Sequence, residues 1–274
     1  SVLASDVPVG AGMSSSAAVE LAFAFAWNVL SDLKIDLPDL ALLCQKAENN
    51  YVGVNCGIMD QMICACGKAG HAMLLDTRSL QRDYFSMPEG VAIVVADSKV
   101  RRSLSTSEYN IRRSQCELAV SILAEYLPDV IALRDVTVED LEQHQQFLPE
   151  TVYRRARHVV TENKRVLQLS RQLSLGNLAE VGELLVQGHN SLRDDYEVSI
   201  PELDTLVVAA TEVDGCYGAR LTGAGFGGCI IALVAEDAVP DVEKHLTAVY
   251  VNRFDKTPNV YITRPADGVS KVDF

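Results

Sequence analysis

Three clusters of residues in this chain have the types and spacing to do chemistry: a glycine and serine turn, a pair of carboxylates, and a tyrosine among arginines. The first runs Pro8-Val9-Gly10-Ala11-Gly12-Met13-Ser14-Ser15-Ser16-Ala17-Ala18. Its two glycines let the backbone approach a ligand closely, and three hydroxyls stand where a long apolar helix begins. Unpaired N–H groups at a helix start, with the positive end of its dipole, suit an anion, and phosphate fits best. The turn lacks the Gly-Lys-Ser/Thr ending of a Walker A loop, and Ser15 stands where a dinucleotide fingerprint has its third glycine. A phosphate loop of another kind is implied. The plain alternative is that the serines cap the helix and the glycines merely turn the chain. That is the better account of an isolated Gly/Ser turn, but three successive serines after a double-glycine turn weaken it.

The second cluster is Ala47-Glu48-Asn49-Asn50-Tyr51-Val52-Gly53-Val54-Asn55-Cys56-Gly57-Ile58-Met59-Asp60-Gln61, with one carboxylate at the end of a helix and another at the start of the next. Magnesium-assisted phosphoryl transfer needs such a pair, one as a hard oxygen ligand and one placed to accept the proton of a hydroxyl. Taken singly, Glu48 reads as a solvated acid on a helix face and Asp60 as an anion favoured by a helix dipole. The third cluster is Asp97-Ser98-Lys99-Val100-Arg101-Arg102-Ser103-Leu104 followed by Ser107-Glu108-Tyr109-Asn110-Ile111-Arg112-Arg113. The Tyr109 phenol can pack on a sugar face and hydrogen-bond it, although a half-buried tyrosine with structural arginine neighbours accounts for the pattern equally well. A further segment, Leu221-Thr222-Gly223-Ala224-Gly225-Phe226-Gly227-Gly228-Cys229, is a glycine-rich turn ahead of a buried strand.

Together these segments resemble the galactokinases of the GHMP small-molecule kinase superfamily, and the resemblance runs from the first turn to the final strand. It implies that Gly10, Ala11, Gly12, Met13, Ser14, Ser15 and Ser16 form the loop around the ATP phosphates, and that Ser16 and Glu48 bind Mg²⁺. By the same resemblance Asp60 is the base at the sugar hydroxyl, Tyr109 contacts the sugar, and the glycines of the Leu221–Cys229 turn approach the nucleotide loop. The match departs at Asn55, where the family often has Pro, and at Ala224, where Gly is usual. The family's upstream Gly-Glu-His-Thr-Asp signature and its transition-state arginine do not occur in these residues, so an N-terminal segment is expected to be missing. The implied reaction converts ATP and α-D-galactose to ADP and galactose 1-phosphate in galactose catabolism, with galactose and ATP as partners. Two rivals are a related kinase acting on arabinose, a uronic acid or N-acetylgalactosamine, and a sensor that binds galactose and ATP without turnover. The intact loop and both carboxylates speak against the sensor.

The elements that must position these residues follow from periodicity. Apolar spacing predicts helices over 14–30, 40–50 and 58–66, strands over 72–76 and 91–96, and a helical stretch from Glu108 to Gly188 broken at Pro128 and Pro149. A helix over 201–213, strands over 229–235 and 259–263 and a helix over 239–253 complete the chain, while residues 1–8 read as the end of a strand. The mixture is α+β. By resemblance it is a two-domain GHMP kinase fold with an incomplete N-terminal domain: residues 1–88 as the remainder of the ATP-binding domain and 89–274 as the C-terminal domain.

The 274 residues, 48% apolar and 22% charged, have material for a core or two. With 24 Lys and Arg against 37 Asp and Glu, the formal net charge is −13, which excludes nucleic acid and anionic membrane surfaces as expected partners. The longest apolar stretch, Ala17 to Trp27, contains Glu20 and is too short for a membrane span, and no leader opens the chain. Cys44, Cys56, Cys64, Cys66, Cys116, Cys216 and Cys229 are odd in number with no CxxC pair, as reduced thiols in a cytoplasmic protein would be. His71, His144, His158, His189 and His245 show no ligand spacing and read as structural or exposed. A monomer is expected.

Overall fold

The computed structural model of this chain describes residues 2–10, 12–53, 55–101 and 105–272, the side chains of 105–107 excepted. Ala11, Val54 and residues 102–104, all within the segments singled out above, lie outside the described residues. In chain order the elements begin with helices α1 (Ser15–Leu30), α2 (Leu37–Ala47) and α3 (Met59–Cys66), then strands β1 (His71–Leu75), β2 (Arg82–Ser86) and β3 (Val91–Asp97). Helices α4 (Ser105–Leu123), α5 (Val138–Gln143), α6 (Glu150–Ser174), α7 (Leu178–Asp194) and α8 (Pro201–Thr211) follow. Strands β4 (Cys216–Leu221) and β5 (Cys229–Ala235), helix α9 (Val239–Phe254) and strand β6 (Asn259–Thr263) close the chain.

Helix α2 starts three residues before the expected Leu40 because Asp36 stands at its N-cap and Pro38 in its first turn, where a missing N–H costs nothing. Its other end departs from expectation too. Regular α-helix stops at Ala47, and Glu48–Val52 continue as a π turn closed by Gly53 at φ +79°. Such π turns are often found at functional sites.

An antiparallel sheet in the order β4-β5-β3-β6 divides the larger part of the molecule, and its period of two sorts side chains between faces. Ala92, Val94 and Ala96 of β3 and Ile230, Ala232 and Val234 of β5 meet Leu203 and Leu206 of α8 and Leu246 and Tyr250 of α9. On the opposite face Val91 and Leu233 pack with Leu173 of α6 and Val181 and Leu185 of α7. At that face's other end, Val95 and Cys229 form a small cluster against which Met13 packs. The glycine and serine turn is thereby docked on the sheet.

Helices α1, α2 and α3 enclose a separate core of Leu21, Leu40, Ala41, Cys44, Ile58, Met62 and Ala65. The hairpin β1–β2 leans on it through Met73 and Leu75. The tail returns to the same core: Val269 N–H donates to Cys64 O at 2.8 Å, and Gly268 N–H to Gly67 O at 2.9 Å.

Three features depart from the expectations. β2 was not expected, since Arg82-Asp83-Tyr84-Phe85-Ser86 carries little apolar alternation, and neither was β4, which contains Gly218. β4 owes its place to α7: a Cβ on Gly182 would lie 1.7 Å from Tyr217 O, so only glycine lets helix and strand touch there. Residues 2–7 form no strand, because they join neither sheet and an unpaired strand has no ladder to hold it. Among the described residues no helix is long and apolar enough to cross a membrane.

Candidate active site

The turn is built from its surroundings inward. Asp97 ends β3 fully buried, and its carboxylate takes Arg101 Nη1 and Nη2 at 3.1 to 3.2 Å. Held so, Arg101 Nη1 donates to Gly10 O at 3.4 Å. Gly10 and Gly12 have φ of +70° and +79°, the left-handed region that only glycine enters freely. Ser14, the N-cap of α1, is also left-handed at φ 54° and makes no side-chain capping bond. The capping account of the serines therefore fails at Ser14. The helix start is left with its N–H groups to offer to another acceptor, Ser15 is the first residue of α1, and Ser16 is exposed on its first turn.

Ser16 Oγ donates to Glu48 Oε1 at 3.2 Å, so the π turn places a hydroxyl and a carboxylate side by side at the loop. The other oxygen, Glu48 Oε2, accepts from Gln61 Nε2 at 2.7 Å and from the Cys56 thiol at 3.8 Å. Burial first, then the charge of Glu48, hold the Glu20 carboxyl above its ordinary range. The Cys56 thiol is raised by burial and then by Glu48, with Asp60 adding to it, so one side chain is in electrostatic reach of both carboxylates. Asp60 lies half-buried in the first turn of α3, as its sequence position implies. Ser16 and Glu48 supply hard oxygens, the donor chemistry suited to Mg²⁺, which keeps waters and substrate oxygens for its remaining positions. Among the described residues no group of three or more His, Cys, Asp or Glu could hold a metal.

Tyr109, on α4, accepts the Gly57 N–H, and burial above all pushes its hydroxyl up, with Arg113 opposing and Asp60 adding a little. Arg113 Nη1 donates to Asn55 O at 3.0 Å. Helix α4 thus grips the 55–57 segment that leads into Asp60, and Tyr109 and Asp60 come together.

The Gly223–Gly228 turn packs closely on two backbones: a Cβ on Gly225 would lie 2.2 Å from Val198 O, and one on Gly227 2.5 Å from Val100 O. Phe226 N–H donates to Val198 O at 2.7 Å and Gly228 N–H to Val100 O at 3.1 Å. Val100 in turn precedes Arg101, which bonds Gly10 O of the loop. Arg112 ties the same region to α4, donating to Tyr196 O at 2.7 Å and Glu197 O at 2.9 Å with its guanidinium over the Phe226 ring.

The histidines stand apart from this site. His158 and His189 are buried between helices, where burial lowers the His158 imidazole to about 4, while His71, His144 and His245 have local partners. The residues that sequence reasoning left without a role are Glu20, Gln61, Arg101 and Arg113. Two had a signal: Glu20 is one helical turn from Ser16 on the same face, and Arg101 follows Asp97 by four.

Comparison with known proteins gives the family and the fold. The family model for the GHMP kinases N terminal domain matches residues 1–68 and that for the GHMP kinases C terminal matches 168–252. A galactokinase of Roseiflexus sp. is 49% identical over 271 residues, 99% of this chain and 69% of that protein. A galactokinase of Chloroflexus aggregans is 47% identical over 98% of the chain and 69% of its own length. The crystal structure of Lactococcus lactis galactokinase complexed with galactose superposes with a TM-score of 0.93 at 36% identity, over 97% of this chain and 69% of that one.

Proposed function

The chain belongs to the galactokinases of the GHMP kinase family, sugar kinases that use ATP, and from that premise we propose how its residues divide the transfer of the γ-phosphoryl group to galactose. The reaction yields galactose 1-phosphate and ADP. Gly10, Ala11, Gly12, Met13, Ser14, Ser15 and Ser16 bind the ATP phosphates through backbone N–H groups at the start of α1. Asp60 orients the anomeric hydroxyl and accepts its proton, and Tyr109 contacts the sugar. Ser16 and Glu48 would hold Mg²⁺, which when bound neutralises charge on the phosphates. Positioning does most of the work in such transfers. We further assign residues 1–88 to the ATP-binding domain and 89–274 to the C-terminal domain, and place the protein in the cytoplasm as a monomer. Its cysteines form no disulfide among the described residues, which suits a reducing compartment.

The observation that carries the site assignment is the pairing of Ser16 and Glu48 across 32 positions at the mouth of the loop. It is tested by the Mg²⁺ dependence of galactose-dependent ADP formation in the natural protein. Ser16→Ala and Glu48→Gln should each raise the Mg²⁺ needed for half-maximal rate about tenfold or more, since each removes or weakens an oxygen ligand to a reluctantly dehydrated cation. An unchanged Mg²⁺ requirement in both variants would refute the assignment.

A further inference from the structure

Gln61 is 1% exposed, and the two ends of its amide fare differently. Nε2 donates to Glu48 Oε2 at 2.7 Å, whereas Oε1 has no hydrogen-bond partner among the described residues. A buried acceptor left unpaired destabilises a fold, so an apolar side chain of similar size would serve stability better here. What the amide does provide is a fixed orientation for a neighbour.

Glu48 has two oxygens with different tasks. Oε1 faces Ser16 Oγ at 3.2 Å, while Oε2 is turned toward Gln61, with the Cys56 thiol a weaker second donor at 3.8 Å. The carboxylate stands on the first residue of a π turn at the end of α2. Without a donor at Oε2, the group is free to rotate about its last bond and to swing away from Ser16. A second carboxyl adds to the need. Glu20 is held above its ordinary range by burial and by the charge of Glu48, a hydrogen bond from the Gln61 amide opposes that rise, and Glu20 Oε2 has no hydrogen-bond partner among the described residues. The Gln61 amide therefore stands beside two mutually repelling carboxyls, and its 2.7 Å bond goes to Glu48.

We propose that Gln61 is the positioning residue for Glu48, its amide fixing the rotamer that aims Oε1 at Ser16 and so setting the affinity of that pair for a divalent cation. The proposal rests on the reading of Ser16 and Glu48 as the Mg²⁺ ligands. Gln61 acts through Glu48, in the way that outer hydrogen-bond partners orient metal ligands elsewhere.

The test is calorimetric titration of Mg²⁺ into the natural protein saturated with a non-hydrolysable ATP analogue, which reads metal affinity without turnover. Gln61→Met keeps the length of the side chain and removes the donor. It should weaken Mg²⁺ binding about 10-fold to 100-fold, leave the affinity for the metal-free analogue unchanged, and have no further effect in a Glu48→Gln background. If Glu48→Gln weakens Mg²⁺ binding and Gln61→Met does not, the role of Gln61 is overturned while the metal assignment stands. If Glu48→Gln itself changes nothing, the metal assignment fails and takes the proposal with it. A drop in melting temperature with parallel loss of analogue and Mg²⁺ affinity in both backgrounds would make Gln61 structural only and overturn the proposal. Should Gln61→Met not fold, Gln61→Asn, one methylene short of Glu48, carries the same test with the same expected loss.

Discussion

Ser14 and Ser16 are two positions apart and do opposite things. Ser14 adopts a left-handed conformation and leaves the start of α1 uncapped, whereas Ser16 points its hydroxyl at Glu48. An ordinary capped helix would use its first serine to quench the N–H groups that an anion needs. Tyr109 shows a similar division of labour: its ring is half-buried, and its hydroxyl, bonded to the Gly57 N–H, lies on the segment leading to Asp60. Tyr109→Phe should therefore raise the KM for galactose about fivefold, the worth of one hydrogen bond near 1 kcal/mol, with the KM for ATP unchanged. Steady-state kinetics with each substrate varied checks this. A lower melting temperature with both KM values unaltered would reduce Tyr109 to a structural residue.

At the scale of elements, the site depends on places where regular structure is interrupted. The π turn at Glu48–Val52, the left-handed Gly225 and the helix–strand crossing at Gly182 all bring backbones or side chains closer than an uninterrupted element would. Gly225→Ala is the sharpest probe, because φ is +77° and the new Cβ would fall 2.2 Å from Val198 O. It should destabilise the protein by about 2 kcal/mol or more, seen as a lower denaturant midpoint. A midpoint within error of the parent would mean that the turn relaxes freely and positions nothing. The same interruptions limit what can be read from sequence. β5 follows its expected span because Cys229–Ala235 is one continuous apolar run, β6 because Val260, Tyr261, Ile262 and Thr263 are all β-branched or aromatic, and α1 begins one residue after Ser14 for lack of any breaker. β2 and β4 escape notice because one is polar and half-exposed and the other carries glycine, so both exist through tertiary contacts rather than pattern. Among the residues proposed for the site, Ser16, Glu48, Asp60 and Tyr109 could be singled out in the sequence because their motifs are local. Gln61 was not, since its role appears only once a turn 13 residues away is folded against it.

The whole molecule carries a formal net charge of −13 yet is built to hold a polyanion, which requires the field to be reversed locally. The start of α1 and the Arg101 guanidinium at Gly10 do this at the loop. Elsewhere, reciprocal ion pairs join the β1–β2 turn to the segment before α5: Arg78 with Asp135 at 2.8 Å, and Arg134 with Asp76 at 2.6 Å. These bonds hold both carboxylates well below the usual range, with the arginine partner as the main cause in each. The returning tail at Gly268 and Val269 ties the end of the chain to α3, which bears Asp60. Within this frame, the claim that Asp60 takes the hydroxyl proton is central to the account. The most direct measurement is galactose-dependent ADP formation by the natural protein and its Asp60→Asn variant, with ATP affinity followed in parallel. The account predicts that the nearly isosteric amide keeps ATP binding while kcat falls by about a hundredfold or more. A variant with unimpaired kcat would contradict it.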